Sequence, residues 1–551
     1  MEEIKIGVFI CHCGTNIGGF LDVPSLVEYV KDLPNVEFAQ DNLYTCSEVG
    51  LTQIKENIKE YKLNRVIVAS CTPRTHEPLF RSVCQEAGLN PYLFEMVNIR
   101  DQCSWVHMKE TEKATEKAKD LLRMGISKAA LLQPLEKNEI EINPTGLVIG
   151  GGIAGMTAAL NLANQGFRIV LLEKEPELGG LVRFLNKLYP TNVDASKVLE
   201  IKKLVENHPK IKVLTSTIPV KIEGFIGNYT VSVKKRNEVY DIDTGIIIVA
   251  TGAQVLKPVG FFGYNGTTII NQLELEQLLK DSKVEAKNIT MIQCVGARIE
   301  ERKYCSNICC MTALKNAMLI KEFNPDANIN ILFRDIQTQG TTYEEYYRKA
   351  REKGITFIKY IPEKPPVVKE NLIEVYNEYL NQDINLPYDL LVLSTPLIAN
   401  QDSEELAKML KVPLEENNFF LEAHVKLRPV DFATDGIFVC GSAHWPADIP
   451  ESVSQAYAAA SRASTIISKK IMEVEGAIAE VDKDLCIGCG ICIKICPYNA
   501  ITKDEDGLAE VMEAVCKGCG LCGATCPEKA IVNHHFTTQQ ILAQILAAGG
   551  K

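Results

Sequence analysis

A twelve-residue cysteine run occurs twice near the carboxyl end, and it constrains this chain more than any other stretch. Cys486-Ile-Gly-Cys489-Gly-Ile-Cys492-Ile-Lys-Ile-Cys496-Pro497 returns as Cys516-Lys-Gly-Cys519-Gly-Leu-Cys522-Gly-Ala-Thr-Cys526-Pro527. Three cysteines on one tight loop can wrap one face of a cubane. The fourth, followed by proline, reaches a second cluster. Cys486, Cys489, Cys492 and Cys526 are therefore expected to hold one [4Fe-4S] cluster, and Cys516, Cys519, Cys522 and Cys496 another. Gly488, Gly490, Gly518 and Gly520 let the backbone approach the sulfides and offer them N–H donors. Zinc knuckles would need neither the pairing of two runs nor a proline after each fourth cysteine.

Cysteine usage extends the metal reading to the rest of the chain. There are 19 cysteines in 551 residues. Met1-Glu2-Glu3 is acidic and leads into a strand-like run, so no signal peptide is expected. A cysteine-rich chain without one reads as metal-binding and cytoplasmic rather than disulfide-bonded. Residues are 46% hydrophobic and 23% charged, the balance of an ordinary globular protein. That excludes a disordered chain, a collagen-like chain and a coiled coil, and the length suggests about three to four domains. A net charge of −11 argues against nucleic acid and anionic membrane surfaces as partners. The longest apolar region, Gly146–Leu172, is broken by Asn161, Asn164, Gln165 and Arg168, so no membrane span is expected.

The first 135 residues alternate strand and helix, as an open α/β sheet does. Ile4–Ile10, Arg65–Ser70 and Pro91–Val97 read as strands; Leu51–Tyr61, His76–Glu86 and Glu110–Leu132 have helical periodicity. A polar linker, Glu136–Pro144, follows. Residues 145–475 repeat the alternation on a larger scale, with Val367–Asp383 as hairpin strands. The expected domains are 1–135, an amino-terminal cluster domain; 145–285 and 397–475, two parts of an FAD-binding domain; 286–396 between them; and 478–551, an α+β domain resembling two-cluster ferredoxins.

Gly150-Gly-Gly152-Ile153-Ala154-Gly155 follows a strand and opens a helix, and Glu173-Lys174 ends the next strand, with the acid 18 positions after the last glycine. This is a dinucleotide turn: Gly150 makes the bend, Gly152 admits the pyrophosphate and Gly155 lets the helix pack. The helix N-terminus faces the phosphates, and Glu173 is expected on the adenosine ribose. Three further features favour FAD over NAD. Gly179-Gly180 follows the acid, as in two-dinucleotide-binding flavoproteins. Ala250-Thr251-Gly252 closes a strand. Thr434-Asp-Gly-Ile-Phe-Val-Cys440-Gly441 resembles a second FAD motif, in which the following helix, from Ile449, aims its N-terminus at the flavin. The acid that usually follows the glycine of that motif is replaced by Ser442-Ala-His444-Trp-Pro, and Cys440 reads as a small hydrophobe.

A thioredoxin-reductase-type flavoprotein carries a second dinucleotide domain between its FAD halves. Residues 286–396 occupy that slot without the glycine motif. The strand Asn288–Gln293 ends instead in Cys294, and Cys305, Cys309 and Cys310 follow. These four read as ligands of a third [4Fe-4S] cluster near the flavin, as thiols of which two form a redox-active disulfide, or as buried structural thiols. On either of the first two readings this degenerate pyridine-nucleotide-like domain has lost the usual seat of NAD(P)H.

Over essentially its whole length the sequence resembles the A subunit of heterodisulfide reductase, the flavin and iron–sulfur component found in methanogens and related anaerobes. The resemblance rests on Cys11-His-Cys13-Gly14-Thr-Asn-Ile, on Val68-Ala-Ser-Cys71-Thr-Pro73-Arg74-Thr-His76-Glu77-Pro78, on Asn98-Ile-Arg100-Asp-Gln-Cys103-Ser-Trp105-Val-His107, and on the middle and terminal cysteines. It implies an oxidoreductase subunit that takes electron pairs at FAD and passes single electrons through clusters to partners. Those partners would be a cluster-carrying small subunit, a disulfide-reducing subunit, an electron-input hydrogenase or dehydrogenase, and ferredoxin, with the protein forming a dimer inside the larger complex. It also implies flavin-based electron bifurcation. The methanogen form carries a further two-cluster ferredoxin inserted in its flavin module, and none interrupts Gly227 to Ala250 here. A low-potential branch would then need another route or another protein. Cys309-Cys310 is followed by Met311, not by the glycine of the disulfide-reducing partner's motif.

Strand ends of an open α/β sheet gather at one edge, where ligands bind. Cys11 ends the first strand, Cys46 follows a short strand at Asp41–Thr45, and Cys71 ends the strand Arg65–Ser70. Cys11, Cys13, Cys46 and Cys71 are the candidate ligands of a fourth cluster, with Cys103 in reserve and Cys84 a buried structural thiol. His12, His76 and His107 read as structural hydrogen-bonders; Arg74 and Arg100 either tune the cluster or hold loops. No side chain is singled out as catalytic, since the redox centre is FAD. Two other functions compete: a self-sufficient NAD(P)H-dependent disulfide reductase, and a wiring module of a quinone-linked membrane complex.

Overall fold

The fold is that of a computed structural model, which describes residues 3–136, 139–281, 284–473 and 475–548. Residues 137 and 138 of the Glu136–Pro144 linker, and the first two and last three residues of the chain, lie outside the described residues. The chain forms two compact units, residues 1–140 with 473–551, and residues 141–472.

In the first unit, Val36–Asn42, Ile6–Cys11, Arg65–Ser70 and Phe94–Asn98 form a parallel sheet in that spatial order. The central strand Ile6–Cys11 is buried throughout, as expected of a parallel strand covered on both faces by helices. Those helices are Val23–Lys31, Glu48–Glu60, Pro73–Glu86 and Thr111–Ala129. The strand expected at Asp41–Thr45 lies earlier, at Val36–Asn42, because the alternation of Phe38, Ala39 and Gln40 satisfies the sheet and Thr45-Cys46 belongs to the turn beyond it.

The cysteine-rich carboxyl end is built from two short ribbons, Ala479–Val481 with Ile531–Asn533 and Ile501–Lys503 with Ala509–Val511. The first strand of one repeat thus pairs with the last strand of the other. It does not stand apart from the amino-terminal sheet, as the sequence segmentation into 1–135 and 478–551 suggests. Glu95 accepts from Lys128 at 2.8 Å and lies 3.3 Å from His535 Nε2. Lys128 also sits 4.1 Å from the centre of the Phe536 ring. Arg81 pairs with Glu475 at 3.2 Å, and Arg123 Nε donates to the carbonyl of Ala547 at 2.7 Å.

The second unit contains two five-stranded parallel sheets. The first runs Ile211–Leu214, Arg168–Leu172, Thr145–Ile149, Ile246–Val249, Ile437–Val439. Its last strand arrives almost 200 residues after its neighbour and closes the sheet. Helices Ile153–Asn164 and Ile449–Ile467 lie together on one face, and the small side chains Ala154, Ala158, Ala159, Ala456, Ala459, Ala460 and Ala463 are buried in the core there.

The second sheet runs Ile269–Asn271, Leu390–Leu393, Asn288–Ile292, Asn328–Phe333, Thr356–Lys359. It takes a strand from before residue 285, where the sequence reading put the boundary. The strand is three residues long, too short for a periodicity signal. It is fixed by a capping box, in which Asn271 and Glu274 exchange side-chain and backbone hydrogen bonds at the start of helix Gln272–Lys280. Three-stranded antiparallel meanders, Thr217–Thr244 and Val367–Pro387, accompany the two sheets. Among the described residues no helix is long and apolar enough to cross a membrane.

A buried ion pair ties the helix Gln272–Lys280 to the helix Cys309–Phe323. Lys315 Nζ donates to Glu276 and, at 2.9 Å, to the carbonyl of Lys187; the other Glu276 oxygen accepts from Asn186 N–H at 2.9 Å. Both side chains are at most 2% exposed. Breaking such a pair from one side strands a buried charge and costs about 3–5 kcal/mol. Lys315→Met should therefore lose about that much in urea unfolding followed by circular dichroism. The double variant Lys315→Met/Glu276→Gln should lose distinctly less. Equal losses would show that the charge pairing is not what matters.

Candidate functional site

At the carboxyl edge of the first sheet lies a cavity of about 770 Å³. It is lined by Gly150, Gly152, Ile153, Ala154, Glu173, Lys174, Gly179, Gly180, Ala250, Thr251, Gly252 and Ile449, twelve of the fourteen residues expected to bind the cofactor. The other two, Gly155 and Gly441, do not line it; they act in packing. A Cβ on Gly155 would fall 1.8 Å from the carbonyl oxygen of Gly150, and one on Gly441 would fall 2.7 Å from the Ala154 methyl. These glycines let the helix Ile153–Asn164 and the turn after Ile437–Val439 close on the sheet.

Gly150 has φ +111°, and a Cβ there would strike the Ala250 carbonyl at 2.3 Å. Gly152 is different: it has ordinary backbone angles, and a Cβ on it would meet nothing within 4 Å. It faces open cavity at the N-terminus of the helix, where unpaired amides favour a phosphate. Glu173 is buried, and its two oxygens accept from the N–H groups of Gly151 at 2.7 Å and Glu175 at 2.8 Å. A carboxylate oxygen can accept more than one hydrogen bond, so Glu173, which lines the cavity, has capacity left for a hydroxyl donor. Lys174 is held by Asp402 at 2.8 Å. At the other end the helix Ile449–Ile467 begins beside the cavity, with Asp448 accepting from the Glu451 N–H at 2.9 Å and from Tyr343 OH at 2.6 Å. Ser442 lines the cavity where an acid was missing from the motif, while His444 turns away and is buried against Glu422, 2.8 Å from its carboxylate. The open cradle at Gly152, the helix start and the anchored carboxylate fit a dinucleotide.

The second sheet is built differently at the equivalent edge. In the first, three residues separate the strand Thr145–Ile149 from its helix; in the second, sixteen separate Asn288–Ile292 from Cys309–Phe323. Those sixteen hold Cys294 and Cys305, and the helix opens on Cys309-Cys310. The four thiols influence one another. Burial pushes Cys309 well above the ordinary thiol range, and Cys310, Cys305 and Cys294 add to the shift. Burial takes Cys310 up to about 12. Burial also raises Cys294, against the pull of the Arg298 and Arg334 guanidinium groups. Cys309 lines the large cavity as well, alongside Ile308, Thr312 and the Lys315–Glu276 pair. An all-thiol set of four, gathered at a helix start, fits a cubane.

In the amino-terminal sheet the chain order reverses between Ile6–Cys11 and Arg65–Ser70, the switch point where open sheets bind ligands. Cys11, Cys13, Cys46 and Cys71 lie at or just after the strand ends on this edge. Burial raises the Cys46 thiol, with further upward influence from Cys11 and Cys13. Burial likewise raises Cys71, which feels Cys11 and Cys46 and is pulled down by Arg100. Arg100 is held over the Trp105 ring at 4.4 Å and by Asp101 at 3.1 Å. Cys103 and Cys84 stand outside this group. Burial dominates both, taking Cys103 to about 11 and Cys84 to about 12. Cys440 is likewise buried and raised to about 12 by burial alone. His12 bonds Asp41 at 3.1 Å and His107 lies 3.3 Å from Lys117, structural partners in each case.

In the terminal repeat the eight cysteines separate into two cavities. One is lined by Cys486, Cys489, Cys492 and Cys526, the other by Cys496, Cys516, Cys519 and Cys522. Gly488, Gly490, Gly518 and Gly520 have φ between +59° and +77°, the left-handed conformation that winds each loop around its cavity. Backbone N–H groups already point at sulfur: Ala500 to Cys496 at 3.3 Å and Ala479 to Cys516 at 3.5 Å. Among the described residues no three His, Cys, Asp or Glu side chains converge as the ligands of one metal ion would. The thiols stand around a volume, as a cluster requires. Sequence reasoning missed Lys315, Glu276, Arg298 and Arg334. Each looks like an ordinary surface charge in one dimension.

Residues 145–297 match the pyridine nucleotide-disulphide oxidoreductase family, and residues 479–533 match the 4Fe-4S dicluster domain. The second iron-sulfur A subunit of CoB–CoM heterodisulfide reductase from Methanopyrus kandleri is 40% identical, over 99% of this chain and 99% of its own. The A subunit of the H(2):CoB-CoM heterodisulfide,ferredoxin reductase of Methanothermobacter marburgensis is 38% identical, over 100% of this chain and 98% of its own. The first alignment runs over 651 positions against 551 residues here, so that relative carries at least 100 residues without counterpart in this chain. Among solved structures, thioredoxin reductase of T. acidophilum matches at 15% identity and a TM-score of 0.41, over 59% of this chain and 99% of its own. The two matched families imply FAD and iron–sulfur clusters respectively. On the full-length relatives, the chain belongs to the family of heterodisulfide reductase A subunits, as an oxidoreductase component that joins a flavin-dependent domain to an iron–sulfur domain.

Proposed function

We propose that this chain is the electron-distributing subunit of a heterodisulfide-reductase-like complex, with one FAD and four [4Fe-4S] clusters. The observation that carries the reading is the double position of Cys309. It lines the cavity that fits FAD and is one of four mutually influencing thiols. Bound FAD supplies the exchange between two-electron and one-electron chemistry. The protein's part is positional. Gly150 and Gly152 admit the pyrophosphate, Glu173 and Lys174 border the adenosine end, and Cys309 brings the cluster set to the cavity wall. Cys294, Cys305, Cys309 and Cys310 hold one cluster; Cys11, Cys13, Cys46 and Cys71 hold another; the terminal repeat holds two.

The partners on this reading are a small cluster-carrying subunit, a disulfide-reducing subunit, an electron-input hydrogenase or dehydrogenase, and ferredoxin. Bifurcation would use a low-potential branch supplied by a partner, since the relative's extra residues are missing here.

Iron and flavin content per chain after anaerobic purification tests the reading directly. About 16 Fe and one FAD are expected. About 8 Fe, with cluster loss ruled out, would leave only the terminal repeat filled and would return the middle cysteines to dithiol chemistry.

NAD(P)H alone should not bleach the flavin in stopped-flow absorbance. After the strand Asn288–Ile292 the chain runs into the turn Cys294–Arg298 in place of a glycine turn, and a Cβ on Gly296 would strike the Leu256 side chain at 2.6 Å. Rapid bleaching would favour the self-sufficient disulfide reductase instead.

Gly152→Val should fold but purify with at least tenfold less flavin, because the new side chain meets only cavity. Retention of flavin by the folded variant would displace the cofactor from this cavity.

A further inference from the structure

Three of the five residues from Cys294 to Arg298 take positive φ: Cys294 at +62°, Gly296 at +76° and Arg298 at +56°. Left-handed backbone in a residue with a side chain is strained, and such residues persist where the surroundings over-determine them, commonly at functional sites. Here the strain folds the chain back on itself. The Ala297 N–H donates to the Cys294 carbonyl at 3.2 Å, and Arg302 Nε donates to the Gly296 carbonyl at 2.7 Å. The turn brings the Arg298 guanidinium to Asp335, beside the cysteine set, where its positive charge acts on Cys294.

Arg298 is held at both ends. Its Nη1 is 2.8 Å from Asp335 Oδ2, and its carbonyl accepts from Arg334 Nη1 at 3.0 Å. The backbone carbonyl of Asp335 also faces Cys310 Sγ at 3.7 Å, so the residue that anchors the guanidinium touches a second cysteine of the set. Arg334 adds a second cation near Cys294 and stands 5.9 Å from the Tyr360 ring centre. Two cations therefore face this cysteine against one carboxylate. The Asp335 side chain is 52% exposed and that of Arg298 32%, so water screens the carboxylate more than the guanidinium.

Four thiolates around a cubane leave the site anionic, and one added electron makes it more so. A fixed cation beside a ligand sulfur stabilises that reduced state more than the oxidised one. We propose that Arg298, anchored by Asp335, is a positioning residue that raises the reduction potential of the cluster held by Cys294, Cys305, Cys309 and Cys310. The proposal rests on the reading that these four cysteines hold a [4Fe-4S] cluster. Reduction adds one electron to the cluster and breaks no bond.

The test is a dithionite titration of the full-length protein, purified anaerobically and followed by electron paramagnetic resonance. The signal of this cluster is the one missing from Cys305→Ala. Arg298→Met should keep its iron and this signal, with the ratio of reduced to oxidised cluster at a fixed potential falling about tenfold, equivalent to a midpoint about 59 mV lower for a one-electron couple. Arg298→Lys, which keeps the charge, should recover most of the shift. Arg298→Gln, a polar and uncharged replacement, should fall as far as Arg298→Met; it decides the matter if Arg298→Met does not fold. An unmoved midpoint in Arg298→Met or Arg298→Gln, or an equal fall in Arg298→Lys, would overturn the proposal while the cluster reading stands. If Cys305→Ala loses neither iron nor signal, the cluster reading fails and takes the proposal with it.

Discussion

A parallel strand hands its chain to a crossover that returns along the face of the sheet, so the edge at the strands' carboxyl ends is left open where the chain order reverses. Among the described residues, the four-stranded sheet and both five-stranded sheets are parallel, and in each the candidate site residues follow strand ends at that edge. Past Ile6–Cys11 and Arg65–Ser70 stand Cys11, Cys13, Cys46 and Cys71. Past Thr145–Ile149 stands the glycine turn. Past Asn288–Ile292 stands Cys294. The same architecture presents thiols, amides or a cavity depending on the few residues that follow a strand.

The two sheets of the flavin unit show how few residues make the difference. Gly155 and Gly150 bring helix and strand so close that three residues suffice to connect them, and this closeness aims the helix start at the cavity. The second sheet gives up that closeness. A sixteen-residue excursion carries two cysteines and delivers two more at the helix start. On the proposed reading a four-thiol cluster takes the space next to the strand end that a glycine turn and its dinucleotide would otherwise need.

What was legible in the sequence was local. The cysteine runs and the glycine turn carry their geometry in spacing, and the structure brings Cys486, Cys489, Cys492 and Cys526 to one cavity and twelve of fourteen flavin residues to another. The amino-terminal thiols were legible through a general rule about strand ends, not through a motif. The strand Ile269–Asn271 was hidden because three residues have no measurable period. Lys315 and Glu276 were hidden because they sit 39 residues apart on two helices, where a lysine and a glutamate read as solvated. Arg298 was hidden because its importance lies in a left-handed turn that no arginine signals in one dimension.

The union of the chain's two ends was hidden for the same reason. Glu95, Lys128 and His535 come from three segments, and each is at most 13% exposed. Burial works against the Glu95 carboxylate, yet hydrogen bonding from His535 and the charge of Lys128 hold its pKa below the ordinary value. An apolar cluster of equal volume would stabilise this contact at least as well, because desolvating charges offsets most of their attraction. Stability alone therefore does not account for it. A buried carboxylate with two specific donors tolerates no shift of the segments that supply them, since a displaced partner leaves a charge unpaired. An apolar contact would slide at little cost. On this argument the triad fixes the register between the amino-terminal sheet and the terminal repeat, two cysteine-bearing pieces separated by the whole flavin unit in sequence.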